Sequence, residues 1–172
     1  GVVVCGGFGP ASASGGAHLF APGLRRWLSL PPMPARVSHP CGAAVGGLLL
    51  VFGGSAGGRS LASTECFDPR LGVWRPLRPM RRRRSFAASA VLGARVYVCG
   101  GFGEKGAAQD SLECFSVATA EWAALPSMLQ ARAMAQMFVV EDCLYVAGGC
   151  RSPDQVRCNV ERFSPGLGIW TG

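Results

Sequence analysis

Residues 85–125, SFAASAVLGARVYVCGGFGEKGAAQDSLECFSVATAEWAAL, hold one complete structural unit. Ser85–Leu92 reads as an apolar strand and Gly93-Ala94 as a tight turn. Arg95–Cys99 reads as a second strand, ending at Gly100-Gly101. A polar loop, Phe102 to Ser111, follows. Leu112–Phe115 and Trp122–Leu125 are two more short strands around a turn. Short strands rich in Val, Tyr, Phe and Trp, separated by turn residues, predict antiparallel pairing. Four such strands in one period describe a blade of a β-propeller. No segment carries a long apolar 3.6-residue period, so little helix is expected.

The unit recurs along the chain. Gly-Gly doublets close apolar runs at Gly6-Gly7, Gly53-Gly54, Gly100-Gly101 and Gly148-Gly149, spaced 47, 47 and 48 residues apart. Trp27, Trp74, Trp122 and Trp170 keep the same step, each seven residues after a phenylalanine: Phe20, Phe67, Phe115 and Phe163. Met33, Met80 and Met128 each stand twenty residues before the next doublet. Marks that move together on such a period imply stacked or radially repeated units. The expected fold is an all-β propeller in one partial domain, 1–172, with blades at about 1–31, 32–78, 79–126 and 127–172. The first blade lacks its opening strand and the last stops mid-strand, so the chain reads as part of a larger ring. Its start at Gly1, without Met and inside an apolar run, reads as an excerpt of a longer protein.

Gly-Gly after an apolar strand, then Glu-x-Phe, then Trp, resembles the kelch repeat. Doublet, phenylalanine and tryptophan match in all four units. The glutamate matches at Glu65, Glu113 and Glu161, with His18 in its place in the first unit. The family's arginine before the first strand of a blade matches Arg84 and Arg132; Val37 holds that position in the second unit, with Arg36 one before. The glycines suit positive φ and close backbone approach. Phe and Trp suit packing between blades. The glutamates suit hydrogen bonds from backbone or from a neighbouring arginine, as buried charge requires.

With 49% hydrophobic and 16% charged residues, a disordered chain is excluded. The 25 glycines and 12 prolines follow no three-residue period, which excludes collagen. The longest apolar run, Ala43–Phe52, is too short for a membrane-spanning helix, so a soluble protein is expected. The net charge is +7, and Lys105 is the one lysine among seventeen bases. Arginine offers a planar fork to carboxylates and phosphates, which favours an acidic partner. Ordinary surface charge and coding bias explain the same excess.

In a four-stranded blade the second-to-third strand loops and the blade-to-blade loops share one face. Ten bases fall in those loops: Arg36, Arg59, Arg81, Arg82, Arg83, Arg84, Lys105, Arg132, Arg151 and Arg157. The acids there are Glu104, Asp110 and Asp154. Long loops on a rigid scaffold are where binding usually lives, and an arginine-rich mouth suits an acidic peptide. Arg84 and Arg132 are the leading candidates because they also match the family's arginine. A solvated loop, or burial against the next blade, is the competing reading of these bases. Nucleic acid is not expected, since Phe8 and Phe102 are the few aromatics available for stacking.

The eight cysteines include no C-x-x-C pair. Cys5 and Cys99 share one repeat position, Cys66 and Cys114 another, as small buried hydrophobes do. Cys150 and Cys158 lie in a loop and are the better reactive candidates. The pattern suits a reducing compartment, so a cytoplasmic protein is expected, with the nucleus also open. Tyr97 and Tyr145 share a mid-strand position and read as core. No catalytic dyad, phosphate loop, metal set or cofactor motif is seen, so no enzyme activity, metal or cofactor is expected.

The resemblance to kelch-like adaptors implies the substrate-recognition propeller of a cullin-3 ubiquitin ligase, joined to cullin-3 by a BTB domain outside this chain. Other kelch proteins imply an actin-binding scaffold. A sugar-oxidase or mutarotase-like enzyme is the alternative of another class.

Overall fold

The computed structural model describes residues 2–7 and 14–172. Sheet 1 contains β1 (Val2–Cys5), β2 (Ala17–Ala21) and β3 (Arg26–Ser29). Sheet 2 contains four strands, β4 (Cys41–Val45), β5 (Leu48–Phe52), β8 (Thr64–Asp68) and β9 (Val73–Leu77); between β5 and β8 the chain forms a separate two-stranded hairpin of β6 (Ser55–Ala56) and β7 (Arg59–Ser60). Sheet 3 contains β10 (Ala88–Leu92), β11 (Arg95–Cys99), β12 (Leu112–Ser116) and β13 (Glu121–Leu125). Sheet 4 contains β14 (Gln136–Val140), β15 (Cys143–Ala147), β16 (Val160–Ser164) and β17 (Ile169–Thr171). All pairings are antiparallel between sequence neighbours, except that β5 skips the small hairpin to reach β8. This is the four-strand meander read from residues 85–125.

The expected opening strand from Ser85 starts only at Ala88, because Phe86 takes φ 55 and breaks the extended run. The fourth sheet has all four strands, its last only three residues long. The hairpin β6–β7 and a short 3-10 turn at Glu104–Gly106 were not legible beforehand.

Side chains alternate across each strand, and both faces of the inner sheets are covered. In β11, Val96 and Val98 pack toward sheet 2 with Phe52 and Trp122, while Tyr97 and Cys99 pack toward sheet 4 with Leu144 and Phe163. That is why the strand reads as a continuous apolar run. The first strands β4, β10 and β14 approach one another and therefore run nearest the common axis.

Phe and Trp pair in every sheet, with ring centroids 5.0–5.4 Å apart. The indole N–H of Trp74, Trp122 and Trp170 donates to the carbonyl of Pro31, Arg78 and Pro126 at 2.7, 2.9 and 2.8 Å. Each tryptophan thus ties its sheet to the loop that leads into it. Burial is uneven: Trp122 and Trp170 are buried, Trp74 is half-buried, and Trp27 is 53% exposed. The expectation that all four are core fails at Trp27, because no earlier sheet packs on it among the described residues.

Candidate functional site

The site is the face where blade-to-blade loops meet the middle loops. Isolated bridges join them: Ser38 with Ser55, Ser85 with Phe102, Ala133 with Cys150. The two loop classes therefore form one surface, as strand order requires.

Arg84 and Arg132 do not belong to that surface. Both are fully buried. Arg84 donates to the Gly100 carbonyl at 2.7 Å, to the Ser111 carbonyl and hydroxyl at 3.3 and 3.0 Å, and to Glu113 Oε1 at 2.7 Å. Arg132 repeats the pattern on Gly148, Asn159 and Glu161. A guanidinium without water needs such a set of acceptors. These two leading candidates for partner contact are corrected to internal staples.

The staple also explains the doublets. The Arg84 carbonyl accepts from Gly54 N–H, and the Arg132 carbonyl from Gly101 N–H, both at 2.9 Å. A β-carbon on Gly53 or Gly100 would lie 2.2 Å from the Arg84 or Arg132 carbonyl oxygen. One arginine therefore closes on the previous sheet by its backbone and on its own sheet by its side chain.

The second unit breaks the pattern at two points. Glu113 Oε2 accepts from Arg81 N–H, and Glu161 Oε2 from Leu129 N–H, both at 2.7 Å. The matching residue before Glu65 is Pro34, which has no N–H, and the matching arginine is Val37. Glu65 Oε2 is buried with no partner among the described residues, and burial pushes its carboxyl above the ordinary value. Arg36 is exposed and does not fill the gap.

The remaining predicted bases divide by place. Arg59, Arg83, Lys105 and Arg151 are exposed and border one depression of about 770 Å3, together with Phe102 and Glu104. Four bases against one acid leave it at +3 (4 − 1). Arg83 leans on Glu104 at 3.6 Å; among the described residues Arg59, Lys105 and Arg151 make no ion pair. Arg81 and Arg82 are exposed beside a neighbouring hollow that includes Asp110. Arg36 stands apart, near Gly15, and Arg157 is half-buried. Phe8 lies outside the described residues.

Three residues of this face escaped the sequence reading. His39, Phe86 and Met134 each stand two residues before an axis-lining strand and take φ 54, 55 and 58. Phe86 N–H donates to the His39 carbonyl at 3.0 Å, and Met134 N–H to the Phe86 carbonyl at 2.9 Å, so the three are linked from sheet to sheet. Their fixed distance from the repeat's arginine position was the available signal.

All eight cysteines are free; Cys158 is exposed and Cys150 half-buried. Tyr97 is buried and Tyr145 half-buried. Among the described residues, no group of three His, Cys, Asp or Glu could hold a metal ion. No helix among them is long and apolar enough to cross a membrane.

The kelch motif model matches residues 36–81, 83–129 and 131–171, which hold the three four-stranded sheets. The chain belongs to the kelch motif family. Among 197 matching chains of solved structures, one described as "Structure of YjhT" superposes on this kelch chain with a TM-score of 0.80 at 16% identity. The match covers 97% of this chain and 63% of the other, so this chain spans less than two thirds of that protein's length. At that identity the likeness establishes the fold: this is kelch propeller architecture. No curated protein sequence matches the chain.

Proposed function

We propose that this kelch chain is a protein-interaction module that grips an acidic protein segment on its loop face, and that it binds rather than catalyses. The observation that carries the reading is the depression bordered by Arg59, Arg83, Lys105 and Arg151 against the single acid Glu104. Exposed guanidinium groups on loops braced by a rigid scaffold can grip carboxylates in bidentate fashion. Charge complementarity of this kind sets partner choice and encounter rate. In the wider protein the module would serve as the substrate-recognition propeller of a cullin-3 adaptor. Eight free cysteines fit work in the reducing cytoplasm.

The test is fluorescence anisotropy with a labelled glutamate-rich peptide. Arg59→Glu, Lys105→Glu and Arg151→Glu, combined, change exposed residues that make no ion pair among the described residues, so the melting temperature should hold. Binding should fall by at least about tenfold, which is about 1.4 kcal/mol. Unchanged binding would sink the acidic-partner reading. Co-precipitation of the full-length protein with cullin-3 addresses the adaptor role, and failure to associate removes it.

A further inference from the structure

The repeat needs a left-handed backbone at His39, Phe86 and Met134, but it does not need their side chains. Their hydrogen bonds use only main-chain groups, which glycine would supply equally well. Glycine adopts positive φ without cost, whereas a bulky side chain there is strained. Where this chain needs such a backbone at its doublets, it places glycine: Gly53, Gly54, Gly100 and Gly101. Bulky residues kept in strained conformations cluster where the side chain has a task.

Three aromatic rings of this face meet one another. The His39 ring stacks on Phe86 with centroids 3.8 Å apart and planes 21° apart. Phe86 meets Phe102 edge-on at 5.9 Å and 81°. Met134 is 52% exposed, His39 is exposed, and Phe86 and Phe102 are half-buried. Phe102 also borders the basic depression, held there by paired backbone bonds with Ser85 and by the Ser60 hydroxyl at 2.8 Å. An aromatic patch, with the Met134 backbone bonded to Phe86 beside it, therefore adjoins Arg59, Lys105 and Arg151, which make no ion pair among the described residues.

We infer that His39, Phe86, Phe102 and Met134 form an anchor site for one apolar or aromatic side chain of the bound segment, with its flanking carboxylates on the neighbouring bases. The ligand class is an acidic peptide with a single hydrophobic anchor. This rests on the proposed acidic-partner reading and adds to it the specificity element. A central apolar anchor inside a polar rim is the usual distribution of binding energy in an interface, and methionine adapts its shape to such a guest.

The experiment uses the chain as it stands and a labelled peptide set. Four glutamates are fixed and a central position is varied among Gly, Ala, Leu, Met, Phe and Trp. Leu, Phe or Trp should bind at least about tenfold tighter than Gly, matching removal of one large apolar side chain from water. Phe86→Gly should keep or raise the melting temperature, because it releases backbone strain, and should erase that preference while the all-polar peptide binds as before. Met134→Gly, at a more exposed position, is the second variant and should reduce the preference. A flat profile with all peptides bound overturns the anchor but keeps the acidic reading. No binding by any peptide overturns both. Phe86-dependent binding of oligo-dT in place of the peptides would make the patch a base-stacking surface and also overturn the inference.

Discussion

Arg84 and Glu113 form an ion pair sealed from solvent: Nη2 to Oε1 is 2.7 Å, and the two side chains are 0% and 2% exposed. Glu113 is also fixed by the backbone N–H groups of Arg81 and Arg82 at 2.7 and 3.1 Å. Removing one member of such a pair leaves an uncompensated buried charge. Arg84→Ala or Glu113→Ala should therefore cost about 3–5 kcal/mol. Because the two residues share one network, the double variant should cost less than the sum of the singles. Urea denaturation of the four proteins checks this, and simple additivity would show that the pair does not act as a unit.

Glu65 predicts a pH effect of definite sign. Its folded carboxyl is raised above 4.5 by burial, so the folded state holds the proton more tightly than the unfolded chain. The resulting stabilisation is full below the unfolded value and is lost as pH rises through the folded one. Glu65→Gln removes that dependence. The variant should melt higher than the parent at pH 7, and the gap should close as pH falls toward 4. Thermal melts across pH 4–8 read the result; a gap that widens on acidification would contradict the account.

The periodic marks made the architecture legible, because a propeller repeats one packing problem and solves it with the same residues. Phe115 and Trp122 could be placed between sheets from spacing alone, and so could the pairing of β10 with β11. The site was less legible. Arg84 and Arg83 are adjacent in one run of four arginines, yet one is sealed and the other exposed. Composition gives both the same weight, whereas the difference comes from which side chain reaches Glu113. Phe86 was hidden for a related reason: its importance lies in a backbone angle, and its ring meets His39 and Phe102 from separate loops.

Two glycines with positive φ separate conformational need from contact. Gly93 has φ +60 and open space where a β-carbon would go; Gly101 has φ +90, and a β-carbon there would lie 2.6 Å from the Ser85 carbonyl. Gly93→Ala should cost roughly 1–2 kcal/mol, the price of a left-handed alanine. Gly101→Ala must also displace the loop that carries Phe102, and should cost more than about 3 kcal/mol. It should disturb acidic-peptide binding as well, while Gly93→Ala leaves it intact. Equal losses in denaturant midpoint would refute the close-approach explanation.

The thiols should react in an order set by burial. Cys158 is exposed, whereas Cys99 is enclosed and its thiol is pushed up to about 12 by burial, opposed in part by the Arg84 charge. Cys41 is half-buried as a residue, but its sulfur turns inward to the Phe52 carbonyl at 3.8 Å, and burial raises it to about 11. The thiolate is the attacking form, so both stay protonated and slow at pH 8. Titration of the native protein with a disulfide reagent should modify Cys158 first and leave Cys41 and Cys99 untouched. In urea all eight should react. Peptide mapping identifies the sites, and early modification of Cys99 in the native protein would mean that the junction between sheets 3 and 4 opens far more readily than its packing implies.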